Sequence, residues 1–163
     1  MCLLSACQTT RSMPTVDYVD MNKFMGDWYV IAHIPAWIER NAYNAVESYE
    51  MTGDGTIETT YRFNNGSFDG DQKIMRPKGW VVNEETNAEW VMQFIWPIKA
   101  EYLIIYLDED YSKTIVGRSK RDYLWIMARE PKLTGSEYQE LVTFAERQGY
   151  DISELRKVPQ QVK

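Results

Sequence analysis

The chain has 163 residues, a formal net charge of −6 and 44% hydrophobic residues, which is typical of one globular domain with its own core. It contains no basic run, which argues against binding to nucleic acid through the phosphates. With two cysteines near the N-terminus and one histidine, His33, no metal site, cofactor or catalytic triad is predicted.

The N-terminus resembles part of a bacterial lipoprotein signal. Leu4-Ser5-Ala6-Cys7 is similar to the lipobox, which directs lipid onto the cysteine after cleavage before it. A secretory signal also needs a basic segment and an apolar stretch of about 7–15 residues, for which there is no room before Cys7. We expect a lipoprotein whose recorded start lies too far downstream, and a chance match in a disordered terminus is the alternative. Residues 1–17 are interpreted as partial signal and flexible leader, and residues 18–163 as the folded body.

The body begins with a series of short segments in which apolar and polar residues alternate, as in half-buried strands. Turn sequences such as TGDG at 52–55 separate them. Pro77 and Gly79 predict that one segment is bent or forms two short strands. The predicted strands are WYVIAHI (28–34), NAVESYEM (44–51), TIETTYRF (56–63), KIMRPKGWVV (73–82), EWVMQFIW (89–96), YLIIYLD (102–108), KTIVGRS (113–119) and YLWIMAR (123–129).

Helical spacing begins only after Pro131. Tyr138, Leu141, Val142 and Ala145 recur on one helical face within residues 136–150, and Gly149 is a stop signal. The fold class is therefore all-β with one C-terminal amphipathic helix. Consecutive antiparallel strands in this number close most economically into a barrel, whose interior can hold one small ligand. A sandwich is the alternative, since periodicity does not separate the two.

Several blocks of the chain, in order, are similar to the lipocalin family. Gly26-Asp27-Trp28 resembles the Gly-x-Trp signature that begins the first strand, and LDEDYSKTIVG (107–117) lies where lipocalins carry a Thr-Asp-Tyr-like turn. Arg129 corresponds to the arginine that ends the last strand. The closer similarity, over about residues 18–157, is to bacterial lipocalins of the outer-membrane lipoprotein group. The segment 108–111 departs from the pattern because it lacks the threonine.

The resemblance implies an eight-stranded antiparallel up-and-down barrel with the helix packed on its outside. It also implies a structural floor formed by Gly26, Trp28 and Arg129, with the arginine across the indole ring and the leader crossing beneath Gly26. An arginine over an indole face contributes about 0.5–2 kcal/mol.

Strand alternation and the family pattern together predict which side chains face a ligand cavity. Small residues opposite large rings, such as Ala45, Thr59 and Gly117, argue for retained space, and a filled core is the alternative. His33 is expected to point outward. Trp37, Trp96 and Ile98 are expected at the cavity mouth. The predicted cavity residues are Val30, Ala32, Ala45, Glu47, Tyr49, Thr59, Tyr61, Phe63, Trp90, Met92, Phe94, Tyr102, Ile104, Tyr106, Ile115, Gly117, Trp125 and Met127.

Glu47 is the polar residue of most interest, because a buried carboxyl is costly and has a raised pKa unless it is paired. One interpretation is a structural group hydrogen-bonded to Tyr102 or Tyr106. The other is that Glu47 selects the ligand by hydrogen bonding or by repelling an anion.

The predicted function is non-enzymatic binding, storage or transport of a small hydrophobic ligand, which the resemblance suggests is a fatty acid or lysophospholipid. The predicted location is the bacterial cell envelope, with a lipid anchor at Cys7, and Gln8 favours the outer membrane. A homodimer is left open. One alternative is a lipid- or isoprenoid-modifying enzyme that uses Glu47 as acid or base, and another is a structural envelope protein with a filled barrel.

Overall fold

The computed structural model describes residues 12–161. Within them the chain forms a mostly β structure with one short helix before the strands and one longer helix after the barrel. The helices are α1 (Met21–Phe24) and α2 (Gly135–Arg147), and the strands are β1 (Gly26–Ile34), β2 (Ala42–Met51), β3 (Thr56–Asn65), β4 (Gln72–Met75), β5 (Lys78–Val81), β6 (Glu89–Ile95), β7 (Ile98–Leu107), β8 (Lys113–Gly117), β9 (Leu124–Ala128) and β10 (Arg156–Lys157).

The sheet closes into an eight-stranded antiparallel barrel, as predicted. From β1 to β9 each strand pairs with the next one in chain order, except that β4 and β5 do not pair with each other, and β9 returns to pair with β1 from Tyr29↔Ala128 to Ile34↔Leu124. β4 and β5 both pair with β3 and occupy one position of the barrel, because Pro77 lacks the backbone N–H that would continue the ladder. β10 is an addition at the edge of β1, beside Ala32 and His33.

Helix α2 packs against the outside of the barrel. Its N-terminus carries a capping box in which the Thr134 hydroxyl accepts from Glu137 N and the Glu137 carboxylate accepts from Thr134 N at 2.9 Å. The helix then buries Leu141, Val142 and Ala145. Neither helix in the part of the chain from 12 to 161 has the length and apolar character needed to cross a membrane.

Two apolar cores result from this arrangement. The first fills the interior of the barrel, and the second lies between α2 and the outer faces of β1 and β7–β9. Strands under the helix are therefore buried on both sides, and their sequences lose the alternation that marks a half-exposed strand.

The segment before α1 is packed against the barrel. Met13 is buried in the outer core, Val16 N donates to Ile104 O at 3.0 Å, and Val19 N donates to Thr86 O at 2.8 Å. Packing thus begins before residue 18, where the sequence places the start of the folded body.

Candidate functional site

The closed end of the barrel is sealed around Trp28. Its indole is fully buried and donates from Nε1 to Phe24 O at 2.8 Å. The Arg129 guanidinium carbon lies 3.8 Å from the ring centroid, and its N–H groups donate to five backbone carbonyls, those of Lys23, Phe24, Met25, Asp27 and Tyr111. Gly26 has a φ of 93°, which glycine adopts without strain. The three predicted floor residues therefore lie together at this end.

Aromatic packing fills the half of the interior above this floor. The Trp90 and Tyr102 rings stack with their centroids 5.2 Å apart, Phe24 meets Trp90 edge-on at 5.4 Å, and the Tyr49 and Tyr102 hydroxyls are hydrogen-bonded to each other. The predicted cavity residues that face the interior without lining an open space are Val30, Ala45, Tyr49, Thr59, Phe63, Trp90, Ile104 and Met127.

A cavity of about 280 Å³ remains at the open end of the barrel. This volume is at the lower end of the range of about 300–1,000 Å³ that is usual for ligand pockets. The predicted residues that line it are Glu47, Tyr61, Met92, Phe94, Tyr102, Trp125 and, at the mouth, Trp37. The lining also includes residues that the sequence interpretation missed, namely Ala36, Ile38, Glu39, Met75, Ile95, Ala100, Glu101, Arg118 and Tyr123.

Four predicted cavity residues were assigned to the wrong face. Ala32, Tyr106, Ile115 and Gly117 all point outward toward the C-terminal part of the chain. Irregularities between Val30 and Ala32 and between Ile104 and Tyr106 shift the register, and each one reverses the faces of the residues that follow. Tyr106 consequently packs edge-on against Phe144 of α2, with centroids 5.2 Å apart.

The error on β8 has a different cause. Ile115 and Val116 are both buried because α2 covers the outer face of the strand, so alternation does not distinguish in from out. Gly117 lies against Tyr150, whose hydroxyl accepts from Arg118 N at 2.8 Å. A Cβ at position 117 would lie 2.2 Å from that hydroxyl oxygen, so glycine is required by close packing and not by a ligand.

His33 lies inside the barrel, and the prediction that it points outward was wrong. The irregularity after Val30 turns it inward beside Trp125, its partner on β9, and it is 1% exposed. Its Nδ1 is 3.7 Å from a carboxylate oxygen of Glu39.

Glu39 is a buried carboxyl that no strand pattern could have indicated, because it lies in the 3₁₀ turn Trp37–Glu39 between β1 and β2. Its Oε1 accepts from Ala36 N at 3.1 Å, which closes the turn back on itself. Its Oε2 accepts from the Trp125 indole N–H at 3.5 Å. The turn therefore places a carboxyl group in the cavity wall and holds it there.

Glu47 lies where the filled half of the interior meets the cavity, and it is 4% exposed. Burial and the nearby Glu39 carboxylate raise its pKa to about 8, while a hydrogen bond with Tyr49 acts in the opposite direction. The two hydrogen-bond partners predicted for Glu47 were Tyr102 and Tyr106. The Tyr102 hydroxyl is hydrogen-bonded to the Tyr49 hydroxyl, and Tyr106 lies outside the barrel. Tyr49 therefore takes the role expected of Tyr102 or Tyr106.

Among the described residues, four buried polar side-chain atoms have no hydrogen-bond partner: Thr59 Oγ1, Tyr61 Oη, His33 Nδ1 and Arg118 Nε. Tyr61 is 3% exposed and lines the cavity. Buried polar groups are usually hydrogen-bonded, so such atoms indicate a place where a ligand's polar group can bind.

The mouth of the cavity is bordered by exposed apolar side chains from two loops. We call this set the apolar rim. Its members are Trp37 and Ile38 of the first loop and Phe94, Ile95, Trp96 and Ile98 around the β6–β7 turn. Trp96 and Ile98 belong to the rim, as predicted for the mouth, but they do not line the cavity itself. An exposed apolar patch of this kind is typical of a binding surface.

Within residues 12–161, no group of three His, Cys, Asp or Glu side chains is placed to hold a metal ion. The predicted lipidation residue, Cys7, lies outside the described residues.

Comparison with known proteins agrees with this architecture. Residues 19–160 match the family model described as a lipocalin-like domain. The chain is 32% identical to temperature-induced lipocalin-1 of Arabidopsis thaliana, covering 92% of this chain and 84% of that protein. It is 28% identical to outer membrane lipoprotein Blc of Escherichia coli (strain K12), covering 97% and 90%. Among solved structures, insecticyanin of the tobacco hornworm Manduca sexta superposes with a TM-score of 0.69 at 16% identity, covering 91% and 84%. The match over nearly the whole barrel shows that this chain belongs to the lipocalin family.

Proposed function

We propose that the protein binds a single-chain lipid non-covalently, to store or transport it in a bacterial cell envelope. The observation that carries the proposal is a cavity at the open end of the barrel that is bordered by the exposed apolar rim. Membership of the lipocalin family supports binding of a small hydrophobic ligand. Similarity to a protein named outer membrane lipoprotein supports the envelope location.

The size of the cavity favours one alkyl chain over two. Aromatic side chains fill the half of the barrel next to the floor, so the volume open to a ligand is about 280 Å³. Each buried methylene contributes about 0.8 kcal/mol. A chain longer than the cavity would continue along the apolar rim, where side chains such as Trp37 and Trp96 remain open to contact.

The charge of the cavity separates the two ligand classes that the sequence suggests. A fatty acid whose carboxylate lay near Glu39 and Glu47 would be repelled by the Glu39 carboxylate, because like charges repel strongly where the dielectric is low. Glu47 would add to this repulsion above its raised pKa of about 8. A zwitterionic lysophospholipid carries no net charge and meets less resistance. We therefore rank a lysophospholipid above a fatty acid.

A titration with a lysophospholipid, followed by calorimetry, tests the binding function. We expect saturable one-to-one binding in the wild type. Ala100→Trp places an indole in the cavity lining and should weaken binding at least about tenfold by occupying the ligand's volume. Val82→Trp, at an exposed position outside the lining, is the matched control and should bind like the wild type. Absence of saturable binding in the wild type would contradict the proposal and favour a filled structural barrel.

A second candidate is an enzyme that uses Glu47 as general acid or base on a lipid or isoprenoid. It is favoured by one observation, the pKa of about 8 in a carboxyl that lines the cavity, which is close to the range suited to proton transfer near neutral pH. Incubation of lipids with wild type and Glu47→Gln distinguishes the candidates. Turnover that is lost in the variant while binding persists would indicate the enzyme, and binding without any product would indicate the carrier.

A further inference from the structure

The two loops of the apolar rim expose large side chains that add little to the packing of the barrel. Trp37 and Trp96 are 80% and 82% exposed. Only Trp96 and Pro97 join β6 to β7, and Ile95 pairs with Ile98 directly behind them. This hairpin tip is narrow and apolar, and it contains no charged side chain. Apolar side chains exposed together in this way indicate contact with something outside the chain.

The exposed charges beside the apolar rim are positive. Arg40 follows the 3₁₀ turn of the first loop and is exposed. Lys99 follows the hairpin tip and is also exposed, with its Nζ 4.6 Å from the centroid of the Trp80 ring. The β8–β9 connection, which also reaches the mouth, adds the exposed Lys120.

The acidic side chains that line the mouth, or lie next to a residue that does, have partners within the chain. Glu39 is buried in the cavity wall. Glu101 accepts from Ser119 N at 2.7 Å and from the Ser119 hydroxyl at 3.0 Å. Asp122 lies 3.4 Å from Nη1 of Arg118. The rim therefore combines exposed apolar side chains with cations that remain available to an anionic partner.

The two ends of the barrel also differ in charge. The segments at the open end contain four acidic and four basic residues, whereas those at the closed end contain nine acidic and three basic residues. The open-end segments are 35–41, 66–71, 96–97 and 118–123, and the closed-end segments are 17–25, 52–55, 82–88, 108–112 and 129–134. An anionic surface would repel the closed end, so the open end is the one that approaches it.

We propose that the apolar rim, together with Arg40, Lys99 and Lys120, docks the barrel on the anionic surface of a lipid bilayer. Trp37 and Trp96 then lie among the lipid headgroups, where indole rings are favoured. The mouth of the cavity faces the membrane, and the acidic closed end points away from it. This inference goes beyond the proposed lipid binding, because docking requires the rim and not the cavity.

A bilayer fits this surface better than a second copy of the chain does. The rim is formed by the tips of two loops around an opening, and a stable protein interface needs about 800 Å² of well-packed surface on each partner. Lipid chains are fluid and can surround separate tips. Two copies docked rim to rim would also bring the Arg40 and Lys99 side chains of both molecules together, and like charges repel.

Co-sedimentation with lipid vesicles tests the docking surface. The full chain carries Cys7→Ser in every sample, so that a lipidated cysteine contributes nothing. The vesicles are phosphatidylcholine alone, or phosphatidylcholine with about a third of phosphatidylglycerol, and we expect at least about tenfold tighter binding to the anionic ones.

Removal of one rim indole tests the apolar part of the surface. Trp96→Ser should weaken binding to both kinds of vesicle at least about tenfold, because the ring no longer enters the interface. Tyr18→Ser removes an exposed aromatic ring near the closed end and is the matched control, which should bind like the parent chain. Both side chains are exposed, so neither change should disturb the fold.

Removal of two cations tests the electrostatic part. Arg40→Gln combined with Lys99→Gln should weaken binding to anionic vesicles at least about tenfold and leave binding to neutral vesicles unchanged. Lys132→Gln, at an exposed position in the segment after β9, is the matched control and should change neither.

A cavity variant separates docking from uptake of vesicle lipid. Ala100→Trp fills the cavity but leaves the rim intact, so it should bind vesicles like the parent chain. Loss of vesicle binding in Ala100→Trp would show that the signal comes from lipid taken into the cavity, which overturns docking and leaves the proposed function intact. Vesicle binding without saturable binding of a lysophospholipid would support docking and overturn the proposed function.

Three further results would overturn the docking surface. One is failure of the parent chain to sediment with anionic vesicles, and another is binding that Trp96→Ser leaves unchanged. The third is a dimer in the absence of vesicles that Trp96→Ser converts to a monomer, since that would assign the rim to a second copy of the chain. Analytical ultracentrifugation of the same samples gives the oligomeric state.

Discussion

Trp28 and Arg129 form the best-defined side-chain contact of the closed end. The guanidinium is held over the indole by five backbone carbonyls, so its position does not depend on the ring alone. This arrangement ties α1 to the first and last strands of the barrel. The contact is therefore structural, and it is separated from the cavity by the packed aromatic rings above it.

Trp28→Ala should lower the free energy of unfolding by about 3–5 kcal/mol, because it removes a fully buried large ring. Arg129→Ala should cost less, and a double-mutant cycle from denaturant unfolding should give a coupling of about 0.5–2 kcal/mol. Arg147→Ala, on the exposed face of α2, is the control and should be additive with Trp28→Ala. Additive effects of Trp28→Ala and Arg129→Ala would show that the stacking has no energetic role.

Strand irregularities decide which side chains each element presents to the cavity. The shift in β1 brings His33 inward and sends Ala32 outward, and the shift in β7 sends Tyr106 to the helix. The outer face of β8 then meets α2 and the residues after it. Gly117 allows this close approach because any side chain there would collide with Tyr150.

Gly117→Ala should destabilise the protein by about 1–3 kcal/mol through overpacking against the Tyr150 hydroxyl. The measurement is denaturant unfolding. Gly135→Ala is the matched control, since nothing lies within 4 Å of its added Cβ, and it should change stability by no more than about 0.5 kcal/mol. If Gly117→Ala were as harmless as the control, the packing of the C-terminal segment on β8 would be misassigned.

At the scale of the whole molecule, the barrel combines a closed aromatic half with an open half that contains two buried carboxyls. The apolar rim surrounds the entrance, so a lipid could pass between a membrane surface and the cavity with little exposure to water. Attachment of the chain to the membrane through Cys7 would keep the protein near such a surface.

Cys7→Ser should release the protein from the membrane when it is expressed with a complete upstream signal. A single acyl chain binds a membrane only reversibly, and firm attachment needs the several chains of a lipoprotein cysteine. Cell fractionation followed by immunoblotting measures the distribution. Cys2→Ser is the matched control and should remain in the membrane fraction. Wild-type protein found in the soluble periplasmic fraction would contradict the anchor.

The sequence was sufficient for the architecture. Alternation along TIETTYRF, the turn TGDG and the change to helical spacing after Pro131 are local patterns, and the structure confirms the elements that they predict. The floor residues carry a recognisable motif, so the resemblance alone assigned Gly26, Trp28 and Arg129. Glu47 was placed in the interior correctly because β2 continues without irregularity from Val46 to Met51.

Only the tertiary structure decided what the cavity contains. Strand irregularities reverse the faces of His33 and Tyr106 without any mark in the hydrophobic pattern, and burial of β8 on both sides hides which of its residues face inward. Glu39 enters the cavity from a turn, to which no strand period applies. Periodicity indicates which face of a strand meets the core, whereas the lining of the cavity, with both Glu39 and Glu47, depends on side chains that different elements bring together across the barrel.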